Sequence, residues 1–177
     1  MKPLDPTGLK RLHREWRHRV DGRVALVLDA VQGPFNVGAI LRTAAAYRVE
    51  HVWLAGSTAP AASAGVQKTA MGTDRYLTIS TVDRGIDAVD AARAAGYRVI
   101  GVELADSARP MHEVDLGPAV CLVVGNEDHG ISAAALRACD EVAYLPQLGK
   151  VGSLNVATAA SIALYEARRQ EWMSSNE

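Results

Sequence analysis

Short runs in which nearly every residue is apolar alternate along the chain with longer stretches in which apolar residues return every three or four positions. The runs lie at 24–31, 51–55, 76–79, 98–104, 119–124 and 141–145. A strand with one wet face alternates apolar and polar residues. Most of these runs do not, which predicts strands buried on both faces, as in a parallel sheet under helices. The intervening stretches 37–48, 85–95, 132–138 and 154–172 have helical spacing. Strand and helix therefore take turns, and the fold class is α/β, a parallel sheet flanked by helices.

Ahead of the first strand, residues 7–20 predict a helix with Leu9, Leu12 and Trp16 on one side and arginines elsewhere. The chain divides accordingly into a basic helical extension, 1–22, and one domain, 23–177. The stretch 56–72 is crowded with Gly, Ala, Ser and Thr, contains Lys68 and is followed by Arg75. It reads as a mobile functional loop, because compact domains rarely keep so long a connection without use.

Composition narrows the classes. A chain of 177 residues that is 49% hydrophobic suits one packed core. Its longest strongly apolar stretch, 119–124, falls far short of the roughly 20 residues that span a membrane, and no signal-peptide pattern opens the sequence. The expectation is a soluble, cytoplasmic protein. Cys121 and Cys139 lack the close pairing of zinc ligands and read as reduced core thiols. The formal net charge is only −1, but the charge is uneven. Within residues 1–24, Lys2, Lys10, Arg11, Arg14, Arg17, Arg19 and Arg23 face only Asp5, Glu15 and Asp21. Such an arm is suited to holding a polyanion, and equally describes a solvated helix face.

Polar residues collect after three of the buried runs, where open α/β sheets bind ligands. The first collection is 32–43, with Asn36 placed to cap the following helix and Arg42 one and a half turns into it. It has neither the Lys-Ser/Thr sequel of a phosphate loop nor the glycine spacing of a dinucleotide fingerprint. Alone, it is a cap and a surface arginine. The second is Gly125-Asn126-Glu127-Asp128-His129-Gly130, whose glycines permit a sharp turn; its single histidine argues against a metal. The third runs from Leu145-Pro146 to Ser153-Leu154-Asn155-Val156, with Ser153 as the expected cap of the last helix and small residues after it.

In this order and spacing the three segments resemble the three motifs of the SpoU/TrmH-like ribose 2′-O-methyltransferases of the SPOUT superfamily, over residues 24–167. The resemblance implies a C-terminal deep trefoil knot, S-adenosyl-L-methionine as cofactor, an RNA substrate and a homodimer with each active site at the subunit interface. It implies Arg42 as the catalytic arginine, supported by Asn36, Glu127, Ser153 and Asn155. Cofactor binding falls to the surroundings of Leu104, Gly125, Leu145, Gly149, Ser153 and Leu154, and no metal is involved. The chain departs from the family at Gln147, where methionine is common after the proline. An amide there must find partners if it is buried.

The basic arm and the long final helix resemble the tRNA enzymes that act on guanosine 18, with Arg11, Arg14, Arg17, Lys68 and Arg75 as RNA contacts. A ribosomal RNA or anticodon-loop substrate is the alternative within the class. Outside it stand a non-catalytic RNA-binding protein of the same fold and a Rossmann-like oxidoreductase, the latter without its glycine fingerprint here.

Overall fold

The structure is a computed structural model that describes residues 2–174, so Met1 of the extension and residues 175–177 of the domain lie outside the described residues. Seven strands form one sheet: β1 (Arg23–Asp29), β2 (His51–Ala55), β3 (Thr78–Val82), β4 (Arg98–Val102), β5 (Arg109–Pro110), β6 (Ala119–Val124) and β7 (Glu141–Tyr144). All pairings are parallel, in the order β3-β2-β1-β6-β4-β7-β5. The central strand β1 sets Leu26 opposite Val52 on one side and Leu122 on the other. The chain builds outward from β1 to β3, then crosses to β4 and returns to insert β6 between them. The carboxyl ends of β1, β6, β4 and β7 thereby stand side by side, and the loops that leave them share one edge.

Alternation within each strand sends side chains to opposite faces. Leu26, Leu28, Leu122 and Val124 pack with Ile40 and Leu41 of α2 (Pro34–Ala46) and Leu164 of α6 (Val156–Ser174). Ala25, Val27, Cys121 and Val123 pack on the other face with Ala88 and Val89 of α4 (Gly85–Ala94) and Ala135 of α5 (Ala133–Ala138). Both cysteines are free thiols. Burial pushes Cys121 well above its usual range, and Cys139 up to about 12.

Four expectations are corrected. Residues 56–72 are not a loop throughout: Ala64–Ala70 form α3, with Val66 and Ala70 buried. Its seat on α2 depends on Gly38, where a side-chain carbon would lie 2.6 Å from the Val66 carbonyl oxygen. The third strand begins two residues later than predicted, after a 3-10 turn at Thr73–Tyr76. Helix α2 starts at Pro34 with Gly33 as N-cap, so Asn36 lies inside its first turn and caps nothing. At α6 it is Asn155, not Ser153, whose Oδ1 accepts from the backbone N–H groups of Ala157 (3.0 Å) and Thr158 (3.2 Å).

The extension forms α1 (Pro6–Arg17), capped by Asp5, whose carboxylate accepts from the Gly8 N–H at 2.6 Å. None of its residues is buried; Trp16 meets Trp172 of α6 edge to face at 5.1 Å. Below that contact Arg168, only 2% exposed, ties three segments together. Its guanidinium donates to the carbonyls of Tyr47 (2.9 Å) and Arg48 (3.0 Å) at the end of α2, to Gly22 O (2.9 Å) and to Glu171 (2.7 Å). Glu171 in turn accepts from the N–H groups of Asp21 (2.6 Å) and Gly22 (2.5 Å). No helix among the described residues is long and apolar enough to cross a membrane.

Candidate functional site

A cavity of about 480 Å³ opens at the carboxyl edge of the sheet, across the end of β4, between the turn after β6 and the segment from β7 into α6. The turn is closed by paired backbone hydrogen bonds, Asn126 N to Gly130 O at 3.0 Å and Gly130 N to Asn126 O at 2.9 Å. At Gly125 any side-chain carbon would overlap the backbone of Gly130 and Ile131, so only glycine lets the strand turn back on itself there. Asn126 holds the turn to β1, its Nδ2 donating to Ala30 O at 2.8 Å and its Oδ1 accepting from Asp128 N and His129 N.

The three polar stretches meet through Glu127. Its carboxylate accepts from Gly33 N (2.9 Å), Gln32 N (3.2 Å) and Asn36 Nδ2 (2.9 Å). Asn36 Oδ1 accepts from Asn155 Nδ2 at 3.0 Å. The direction of this relay is forced. Asn155 must turn its oxygen to the free N–H groups of α6, which leaves its amide nitrogen for Asn36. Asn36 must then present oxygen to Asn155 and nitrogen to Glu127. Desolvation pushes the Glu127 carboxyl up, but the donors from Asn36, Gly33 and Gln32 outweigh it and hold the group below the usual carboxylate range. Glu127 is therefore an ionised anchor at neutral pH.

Of the residues the sequence singles out, Leu104, Gly125, Glu127, Leu145, Ser153, Leu154 and Asn155 line the cavity. Asn36 stands behind the lining and positions two of them. Gly149 does not line it, and neither does Arg42, which is exposed and donates from Nη1 to the Met71 sulfur at 2.8 Å. Arg11, Arg14, Arg17, Lys68 and Arg75 are exposed and lie outside the lining, with the Arg75 guanidinium over the Tyr76 ring. Sequence reasoning missed Glu103, whose carboxylate accepts from Ile131 N at 3.0 Å beside the cavity, and Tyr144 in its wall. Their signal was their place at the carboxyl ends of β4 and β7. Among the described residues no group of three or more His, Cys, Asp or Glu is arranged to hold a metal.

The cavity fits a nucleoside-bearing cofactor. Its volume lies in the small-molecule range, and Val102, Leu104, Val124, Leu145 and Leu154 supply apolar wall for a flat base. Gln147 borders the cavity, and its Oε1 is buried without a hydrogen-bond partner among the described residues.

The sequence profile of the SpoU rRNA Methylase family matches residues 23–165. A 23S rRNA (guanosine(2553)-2′-O)-methyltransferase of Bacillus subtilis is 38% identical over 147 residues, covering 82% of this chain and 58% of the relative. The tRNA (guanosine(18)-2′-O)-methyltransferase of Escherichia coli is 32% identical over 170 residues, covering 94% of this chain and 72% of the relative. An AdoMet-bound rRNA methyltransferase from Sinorhizobium meliloti superposes with a TM-score of 0.79 at 32% identity, over 85% of this chain and 57% of that one. Several of the curated relatives are much longer, the chain spanning 38–58% of their length.

Proposed function

Since the chain belongs to the SpoU methylase family, we propose that it is an S-adenosyl-L-methionine-dependent RNA ribose 2′-O-methyltransferase acting on tRNA, with guanosine 18 as its target. The observation that carries the reading is the relay from α6 through Asn155 and Asn36 to Glu127. It joins three separated stretches of sequence at the rim of one cavity of cofactor size.

The cofactor, when bound, supplies a methyl group already activated on a sulfonium. The protein's part is alignment and charge. Leu104, Leu145, Leu154 and the turn at Gly125 would seat the donor, and Ser153 and Asn155 would border the approach of the ribose. The residues around the cavity would hold the ribose hydroxyl against that methyl group, and such positioning supplies much of the rate. The hydroxyl proton is lost to solvent. Arg42 stays a cation, because a guanidinium is a poor base, and stabilises the negative charge that develops on the ribose oxygen beside an RNA phosphate. It lies outside its own chain's cavity, which supports a homodimer in which the site is completed at the subunit interface. The C-terminal trefoil knot belongs to the same reading, supported by the way residues 145–155 and the turn at 125–130 wall one cavity.

Exposed, basic α1 supports tRNA as substrate. So does the E. coli similarity, whose 94% coverage necessarily includes part of α1. The experiment is methyl transfer from labelled cofactor to bulk tRNA and to ribosomal RNA, with the modified nucleotide mapped. Arg42→Ala is expected to abolish transfer while S-adenosylhomocysteine binding stays within about twofold. Transfer at near wild-type rate by that variant refutes the role of Arg42. Methylation of ribosomal RNA alone replaces the substrate.

A further inference from the structure

We infer that the exposed ring of Tyr76, backed by the Arg75 guanidinium, is a stacking platform for an unpaired base of the RNA close to the target ribose. The inference rests on the proposed RNA substrate and on Arg42 meeting its phosphate. It goes beyond both, because it says where the strand runs next and what holds it there.

Tyr76 is the most exposed aromatic ring among the described residues, at 66%. The Arg75 guanidinium carbon lies 4.8 Å from the ring centre, and its Nη2 donates to the Tyr76 hydroxyl at 2.8 Å. Guanidinium groups also lie over Trp16 and Tyr97, but those rings are engaged with other rings: Trp16 packs against Trp172, and buried Tyr97 against Trp53. Tyr76 meets no second ring among the described residues. An aromatic surface and a cation are thus left at the surface together, the pairing on which unstacked bases are held.

The local backbone ties this ring to Arg42. Met71 (φ 53°) and Gly72 (φ 72°) are both left-handed and turn the chain sharply out of α3 into the 3-10 turn Thr73–Tyr76, which packs back against α2. A methionine seldom holds that conformation. Here its N–H closes α3 on Gln67 O at 3.0 Å, and its sulfur meets Arg42. Tyr76 follows Met71 by five residues, at most about 18 Å of extended chain, and the 3-10 turn shortens that. The charge suits a polyanion. Arg42, Lys68 and Arg75 are exposed cations, and Asp74, the one acid in 64–76, accepts from Gln67 Nε2 at 3.0 Å. A second protein surface would have to supply acids for these cations, whereas an RNA backbone carries a charge at every nucleotide. A strand whose phosphate meets Arg42 therefore passes an open ring with a cation beside it, and stacking there is tolerant of sequence because every base has a π-face.

The test is filter binding of the intact protein to bulk tRNA and to ribosomal RNA over a range of salt concentrations, with thermal unfolding as the control. Tyr76→Leu, which keeps an apolar side chain without a ring, is expected to weaken binding to the RNA that the wild type binds by about tenfold at every salt concentration. The slope of log Kd against log salt and the Tm should stay as in wild type, because stacking releases no counterions. Tyr76→Phe is expected to bind within about threefold of wild type. Arg75→Gln, by contrast, should flatten the slope by about one unit. The assignment is overturned if Tyr76→Leu binds within about twofold of wild type, if its loss comes with a change of slope, or if Tyr76→Phe is as weak as Tyr76→Leu. A change in the molecular mass of Tyr76→Leu by sedimentation equilibrium gives the ring to a contact between copies and overturns it too. In all of these cases the methyltransferase reading stands. If the wild type binds neither RNA, that reading falls and this one with it.

Discussion

Replacing Arg168 by methionine should cost more stability than any surface substitution, and the structure says why. The guanidinium is 2% exposed and the Glu171 side chain 16%, so the pair is shielded from solvent. Methionine fills much of the volume but removes the guanidinium from Glu171 and strips donors from three carbonyls, those of Gly22, Tyr47 and Arg48. Breaking one side of a buried pair costs about 3–5 kcal/mol, and the abandoned carbonyls keep the loss near the upper end. For a domain of this size each kcal/mol lowers Tm by about 2–4 °C, so Arg168→Met should fall by about 10 °C or more. Replacing both partners should hurt less than the sum of the single changes, because the double variant no longer buries an abandoned charge. Urea and thermal unfolding followed by circular dichroism measure both quantities. A single variant within 1 kcal/mol of wild type, or a strictly additive double variant, would refute the claim that this clasp holds α6, α2 and the start of β1 together.

The relay makes its own predictions. Asn36→Asp keeps the acceptor that faces Asn155 but sets a carboxylate oxygen against Glu127, where an amide nitrogen now lies at 2.9 Å. Both groups are partly solvated, so the loss should be about 1–2 kcal/mol at pH 7. The shared site raises one carboxyl pKa, so the gap from wild type should narrow as the pH falls towards 4.5; a gap independent of pH would exclude the like-charge explanation. In the wild type, Glu127 titrates below its unfolded value, so its contribution is present above about pH 4.5 and is lost as the pH falls through the folded value. Glu127→Gln should therefore lie below wild type in stability at neutral pH and converge with it in acid, as pH-dependent unfolding would record. Replacing Arg11, Arg14 and Arg17 together by serine should weaken tRNA binding and flatten its dependence on salt by about one unit of slope per lost phosphate contact, with cofactor affinity unchanged. An unchanged salt slope would return α1 to a solvated helix face.

How much of this was legible in the sequence follows from how the signal arises. The buried strands at 51–55 and 119–124 stand out because both faces are covered, leaving no polar positions to blur the run. β3 is an edge strand, Thr-Ile-Ser-Thr-Val, whose half-wet pattern resembles the turn before it, and its start was misread by two residues. β5 has two residues and pairs only with β7; no periodicity exists at that length, and proline is tolerated because the strand lies at the edge. α3 is not legible because Ala-Gly-Val-Gln-Lys-Thr-Ala, with one Val as its only large apolar residue, makes no helical stripe, and its burial depends on Gly38 of another helix. The lining of the cavity was largely legible through the motif resemblance. The division of labour within it was not, since a cap can be assigned to Ser153, Asn155 or Asn36 from sequence and only coordinates show which amide turns to which backbone.

That division explains the position of Arg42. The relay fixes Asn36 from both sides, and with it the rotation of α2 about its axis. Arg42 follows Asn36 by six residues, which on a helix is about 9 Å along the axis and about 120° around it. A helix that aims Asn36 at Glu127 must therefore aim Arg42 elsewhere, and the structure has it on Met71 instead of in the cavity. No side-chain rotation that preserves the relay brings the two residues onto one face of α2. The rigid frame that preorganises Glu127 and Asn155 is thus the same frame that turns the cation outward. A reaction needing both would have to present them from two surfaces, the cavity on one and the helix that carries the charge on the other.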